Sequence, residues 1–257
     1  MPSPLDRALD VTRASLPLAA VPAVASLASF SNVARALASG PGGGMTFPFP
    51  TGLPTLWTYV SLSGVPGGGA SAGPLSLLTF VPLFVAGLLV TSALEAGFLG
   101  ALHRRIDERA PAFGASVRQF TLRIVGVNLL RAAVVLLALP LMVFPPLALL
   151  VVIVGGYLLY GLPFVVVVRD APLGAAFEST VSHALDAGRY ATFGIAHLVG
   201  GALASFALTA LVRNGGLPGI LLGTAVIAVP AVFVAVYGLL VFRDFADAAA
   251  PAAPPNA

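Results

Sequence analysis

Six runs of the chain, 15–33, 75–94, 126–144, 147–168, 190–212 and 217–242, are each about 20 residues long and almost wholly apolar. A helix rising 1.5 Å per residue needs about that length to cross a hydrocarbon core about 30 Å thick. None of the runs alternates apolar and polar positions over about ten residues, as the strands of a membrane barrel do. The pattern predicts an all-α membrane protein with six transmembrane helices. Two further segments carry the helical period with a polar back: Phe113, Val117, Phe120 and Ile124 in 111–124, and Leu173, Phe177, Val181 and Leu185 in 172–185. Each is too short to span and too charged to bury, which predicts cytoplasmic interfacial helices before spans 3 and 5. Asp170 is placed to cap the second of them. The segment opened by Pro4 stands in the same position before span 1, so the chain reads as three units of surface helix plus hairpin, or as three unrelated juxtamembrane helices.

Composition sharpens this picture. Of 257 residues, 58% are hydrophobic and only 9% are charged, where about a quarter is usual in a soluble domain. So few charges cannot cover a soluble surface, which excludes a soluble enzyme fold, a disordered chain and, with no cysteine, a disulfide scaffold or a Cys-type metal site. All 13 basic residues are Arg; together with the Ala/Gly/Val richness this is the composition of a GC-rich, prokaryotic genome. The Arg residues form no compact patch of the nucleic-acid-binding kind, so their placement is read as a topology signal. Ten lie before span 1, between spans 2 and 3, between spans 4 and 5, or after span 6, and only Arg35 and Arg213 lie opposite. Positively charged short loops stay inside, so both termini are expected to be cytoplasmic, in a multi-pass protein of the cell membrane. The bilayer is its expected partner, and a second copy or another membrane protein stays open.

Two stretches allow alternatives. Run 15–33 contains Pro17 and Pro22, and with Ala36-Leu37-Ala38 as a small-residue cleavage site it also reads as a secretory signal, which would leave five spans. Segment 40–74 has ten Gly and six Pro, within a stretch free of charge from Arg35 to Glu95. It is expected to be a flexible external loop with Phe47, Phe49, Trp57 and Tyr59 as headgroup-level anchors, or a re-entrant loop. Residues 246–257, with Pro251, Pro254 and Pro255, read as a disordered tail.

The stretch 169–194, with Asp170, Pro172, Ala175-Ala176-Phe177-Glu178-Ser179, Gly188-Arg189-Tyr190 and Phe193-Gly194, resembles the loop before the fifth span in six-span proteins related to the membrane domain fused to some glycerophosphodiester phosphodiesterases. The resemblance implies six helices and no activity; this chain lacks the soluble phosphodiesterase domain, and its Arg usage and Gly-rich loop depart from the pattern.

Candidate chemistry is sparse. His103, His183 and His197 have no metal-ligand spacing, Ser63-Gly64 has no His on its side, and Gly42-Gly43-Gly44 and Gly67-Gly68-Gly69 lack the Lys of a phosphate loop. No catalytic residue, metal or cofactor is therefore expected. Polar groups inside spans are costly and are functional candidates by default. Glu95 at the end of span 2, Asn128 and Arg131 one turn apart in span 3, and His197 in span 5 all count into the inner half of the bundle. They line a polar, ligand-binding cavity, or they are structural: an interfacial Glu95, a snorkelling Arg131, and helix-joining hydrogen bonds from the other two. Glu95 and Arg131 are expected to pair. Gly200, Gly201, Ala204, Ser205 and the Gly219-x-x-x-Gly223 motif predict close packing of the last two spans, or a homodimer face. The function expected is a permease-like or membrane-organising protein; a scaffold that binds through its surface helices is the alternative, and an intramembrane enzyme is disfavoured for want of paired catalytic groups.

Overall fold

The computed structural model describes residues 3–62 and 74–248. Among these there are ten α-helices and no strand: α1 (Pro4–Ala14), α2 (Ala20–Leu27), α3 (Phe30–Ala38), α4 (Leu56–Tyr59), α5 (Pro74–Ile106), α6 (Phe113–Ala138), α7 (Pro145–Leu159), α8 (Leu162–Val168), α9 (Leu173–Leu185) and α10 (Gly188–Ala248). Ser63-Gly64, Gly67-Gly68-Gly69 and the tail beyond residue 248 lie outside the described residues.

Among the described residues four helices are long and apolar enough to cross a membrane: Val81–Ile106, Phe113–Val143, Pro145–Val168 and Gly188–Phe245. The pair Pro4–Ala14 and Leu16–Ala28, bent by 78°, makes a fifth if counted as one span. The outward surface of these helices is apolar, with Leu83, Leu136, Leu149, Leu203 and Leu222 exposed. Such an exterior suits lipid rather than water.

Helix α10 is not straight. Gly216 has φ 56° and ψ −138°, outside helical space, a conformation that glycine adopts without a Cβ penalty. The chain turns back there into two antiparallel arms, 188–215 and 217–248. Arg189 pairs with Asp244 at 3.2 Å, the Phe193 ring lies 5.6 Å from that of Tyr237, and Gly219 is pressed against the backbone of Leu211.

One end of the molecule collects charge. Arg7 donates to the carbonyl of Ile106 at 3.4 Å, and Arg105 donates to that of Ala14 at 3.1 Å, so α1 lies across the end of α5. Asp107 accepts from both Arg109 and Arg243. Partial burial raises the Asp107 pKa, but the Arg109 hydrogen bond, His103 and Arg243 outweigh it and hold the carboxyl below its ordinary value. At the opposite end Arg213 donates to the carbonyls of Gly40 and Gly43.

Several elements differ from the sequence expectation. Run 15–33 is not one helix but a 3-10 turn, α2, a break at Ser29, and the start of α3. Pro17 and Pro22 remove backbone donors. Ser26 and Ser29 donate back to the carbonyls of Pro22 and Ala25, at 2.7 and 2.9 Å, which loosens the ladder further. Segment 111–124 is not a separate helix; it is the first half of α6, whose buried Phe120, Ile124 and Val127 continue one face without a breaker. Segment 172–185 does form its own helix, α9. The cap expected of Asp170 is absent: Pro172 occupies the N-cap, while Asp170 pairs with Arg123 and accepts from Gln119 at 3.0 Å.

The largest departure from the flexible-loop expectation, in the direction of the re-entrant alternative, concerns the described part of the Gly/Pro-rich loop. Residues 50, 52–54, 56 and 59–62 are buried, and the segment inserts between helices. From the Arg213 end, Thr46 N–H donates to Ser205 Oγ at 2.8 Å. Pro48 then meets Gly201, Phe49 stacks on Tyr160 with ring centroids 6.2 Å apart, and Gly52 reaches Glu95. On the way back Leu56 N–H donates to Ser26 Oγ at 2.9 Å, Trp57 Nε1 to Ser26 O at 2.6 Å, and Ser61 N–H to Thr209 Oγ1 at 2.9 Å. The segment is a hairpin that enters and leaves at the Gly216 end, with side chains of distant helices satisfying backbone donors that burial would otherwise leave unpaired. The headgroup role expected of Phe49, Trp57 and Tyr59 gives way to packing inside the bundle.

Candidate functional site

Helices α5 and α6 form an antiparallel pair, and their facing polar residues meet. Asn128 Nδ2 donates to Ser92 Oγ at 3.0 Å and to Glu95 Oε2 at 3.2 Å. Arg131 Nη1 lies 3.1 Å from Asn128 Oδ1 and 3.5 Å from Glu95 Oε1. Asn128 therefore bridges the two charges, because 3.5 Å is long for a direct hydrogen bond. Glu95 is 3% exposed and Ser92 is fully buried. The roof of this cluster is the hairpin tip. A Cβ on Gly52 would stand 2.4 Å from Glu95 Oε1, so only glycine lets the loop backbone come this near the carboxylate.

The depth differs from the sequence expectation. Because α5 continues to Ile106 and α6 starts at Phe113, Glu95 lies about 16 Å from the charged end and Arg131 about 27 Å. Glu95 therefore does not end its helix, which runs on for about three further turns to Ile106.

His197 is not part of it. It lies on the first arm of α10, 8% exposed, with its ring 6.0 Å from that of Tyr59 and 6.4 Å from that of Phe193. Its Nε2 has no hydrogen-bond partner. Glu95, Asn128 and Arg131 are thus brought together, and His197 is separated from them with the hairpin between. Gly201 and Ser205 receive the hairpin, whereas Gly219 packs on the facing arm and Gly223 on Leu56.

Arg131 also borders a cavity of about 500 Å³, enclosed by the hairpin residues Phe49, Thr51, Trp57 and Thr58 and by Val135, Val152 and Tyr160 of α6 and the α7 region. Val135 and Val152 are exposed on the outer surface, so the cavity opens between α6 and α7 toward the apolar exterior. Two of its lining residues have buried polar atoms without partners, Arg131 Nη2 and Thr51 Oγ1. A buried donor left unpaired costs about 1–3 kcal/mol, more for a charged group.

Sequence reasoning missed a tyrosine cluster behind this cavity, of which Tyr160 lines it. Tyr160 donates to the carbonyl of Tyr190, and Tyr190 donates to that of Tyr157 at 2.7 Å. The Tyr160 and Tyr190 rings are 4.3 Å apart. The spacing Tyr157-x-x-Tyr160 inside an apolar run is the signal that marks it, since a buried tyrosine hydroxyl needs a partner. Among the described residues no three His, Asp or Glu side chains group as a metal site. No family model matches the chain, and no curated protein or solved structure matches it.

Proposed function

We propose that this is a six-span protein of the cell membrane, permease-like and non-catalytic, that binds an apolar molecule bearing one hydrogen-bond-accepting group. The observation that carries the reading is the unpartnered, buried Nη2 of Arg131 beside an otherwise mostly apolar cavity. In a low-dielectric interior that guanidinium favours an anionic carboxylate or phosphate oxygen over a neutral carbonyl, while the aromatic and valine lining suits an apolar body. The lateral opening gives such a molecule a route from the bilayer. Glu95 and Arg131 engage each other through Asn128, so neither group of this cluster stands free as a general base, which favours the binding reading of the cluster. The resemblance of 169–194 to six-span membrane domains agrees with this reading.

Six spans are counted by taking the broken segment 16–38 as the first, α5, α6 and α7–α8 as the next three, and the two arms of α10 as the last. The outward Phe177 and Leu185 of α9 and its charged neighbours support an interfacial placement on the cytoplasmic face. Single cysteines at 105 and 179 are expected to resist a membrane-impermeant thiol reagent in intact cells, while one at 43 is labelled. The opposite pattern reverses the orientation.

Trp57 is the chain's one tryptophan and lines the cavity, so it reports on occupancy. A brominated long-chain fatty acid is expected to quench it saturably in detergent, at least tenfold more tightly than the methyl ester of the same acid. Arg131→Gln removes that preference. Equal quenching by acid and ester, unchanged by the substitution, rules out the site.

A further inference from the structure

A second feature, independent of the Arg131 cavity, runs along α10. Two adjacent hollows of about 460 and 390 Å³ have Phe193, Ala196 and Tyr237 as common wall residues, and so lie end to end along one groove whose narrowest point is at the Phe193 and Tyr237 rings, with centroids 5.6 Å apart. Its mouth is polar, bordered by Arg7 of α1 and by Arg189, Thr192 and Asp244 of the two arms. Its inner part is almost entirely apolar, bordered by Gly200, Ala204, Ile227 and Phe233 with His197 on the wall. From Arg189 to Ala204 the groove follows the first arm for roughly 22 Å, which exceeds the apolar half-thickness of a bilayer, about 15 Å.

The geometry points to a site for an anionic phospholipid, with the phosphate between Arg7 and Arg189 and one acyl chain laid along the arms of α10. Charge and shape agree on this occupant. Arg189 is partly neutralised by Asp244 at 3.2 Å, but among the described residues Arg7 has no carboxylate partner and donates only to the Ile106 carbonyl. The mouth thus keeps a net positive charge, the condition under which basic pockets between membrane helices take anionic headgroups. The mouth also lies at the charged end of the molecule, level with α1 and the Asp107 network, where a headgroup would be found. The apolar trough lies deeper, where the chain must be. Pro4 and Leu5 of α1 border the groove from one side, so a bound lipid would also hold α1 in place.

The test uses the full chain in mixed micelles of phosphatidylcholine and phosphatidylglycerol, with retained lipid counted by native mass spectrometry. The wild type is expected to retain phosphatidylglycerol at least tenfold over phosphatidylcholine, and Arg7→Gln with Arg189→Gln to abolish the preference. Gly200→Phe is expected to cut retention of both lipids at least tenfold. A Cβ at Gly200 meets nothing within 4 Å, so the phenyl ring fills the trough without displacing a neighbour at its root. Arg118→Gln, at an exposed arginine away from the groove, is expected to change nothing. Equal retention of the two lipids overturns the assignment, as does retention by Gly200→Phe at the wild-type level, or a loss in Arg118→Gln as large as in the double substitution.

Discussion

Replacing Gly219 by alanine is expected to lower the melting temperature in detergent by about 6–12 °C. The added Cβ would lie 2.3 Å from the backbone oxygen of Leu211 and 3.1 Å from its carbonyl carbon. A flexible side chain could rotate away; a backbone carbonyl in the facing helical arm cannot. The hairpin must open, and its turn at Gly216 is only three residues distant, so the strain has no length over which to spread. Overpacking of this kind costs about 1–3 kcal/mol, and rigid contacts belong at the upper end, where about 3 kcal/mol shifts the midpoint of a chain of this size by the amount stated. Gly200→Ala is the matched control on the other arm. It also puts a methyl group on a helix, but into open space, and alanine is favoured over glycine by up to about 1 kcal/mol. Its melting temperature is expected to be unchanged or raised. Equal behaviour of the two variants would mean that the arms do not approach as described.

The two glycines differ in a way the sequence pattern cannot reveal. Both belong to small-residue clusters, and the motif Gly219-x-x-x-Gly223 reads as a close-packing device, but Gly219 meets the facing arm and Gly200 meets nothing, while their neighbours Gly201 and Gly223 pack on the inserted hairpin 40–62. That hairpin had no local signature. Its proline and glycine content suppresses periodicity, and its backbone donors are satisfied by Ser26, Ser205 and Thr209, which are remote in sequence. An uncharged stretch of 35 residues with four aromatics was a sign of burial, and the headgroup layer was the nearer explanation.

Helix ends were misplaced for a different reason. A hydropathy run stops at the first charge and so closes span 2 before Glu95, yet a helix satisfies its own backbone hydrogen bonds and continues through a charge whose partner lies on the next helix. Ala96, Phe98, Leu99 and Leu102, all fully buried, carry α5 onward. The same logic joins 111–124 to span 3. The Glu95–Asn128–Arg131 grouping was legible because it follows from two local facts: the i, i+3 spacing on one helix and the antiparallel return of its neighbour. His197 shares neither relation, and it stands apart.

The buried charged pair between α5 and α6 is expected to dominate the response to substitution there. Glu95→Gln leaves the Arg131 guanidinium without a counter-charge, and Arg131→Gln leaves a 3%-exposed carboxylate with only Asn128 and its neighbours. Breaking a buried pair by removing one partner costs about 3–5 kcal/mol. Because Arg131 keeps 26% of its side chain exposed, the guanidinium stranded by Glu95→Gln is partly hydrated and that loss falls at the low end, whereas Arg131→Gln strands the enclosed carboxylate of Glu95 and belongs at the high end. In the double variant two amides face each other across Asn128 and no isolated charge remains. Its melting temperature is therefore expected to fall by less than the sum of the single effects, with a coupling within the 0.5–3 kcal/mol range of directly interacting groups. Asn128 tests the path of that coupling. Since Arg131 lies nearer to Asn128 Oδ1 than to the carboxylate, 3.1 against 3.5 Å, repeating the cycle in an Asn128→Ala background is expected to shrink the coupling by about half or more. A coupling that survives intact would mean that the charges interact directly and that Asn128 is a bystander; strict additivity in the first cycle would remove the pair itself.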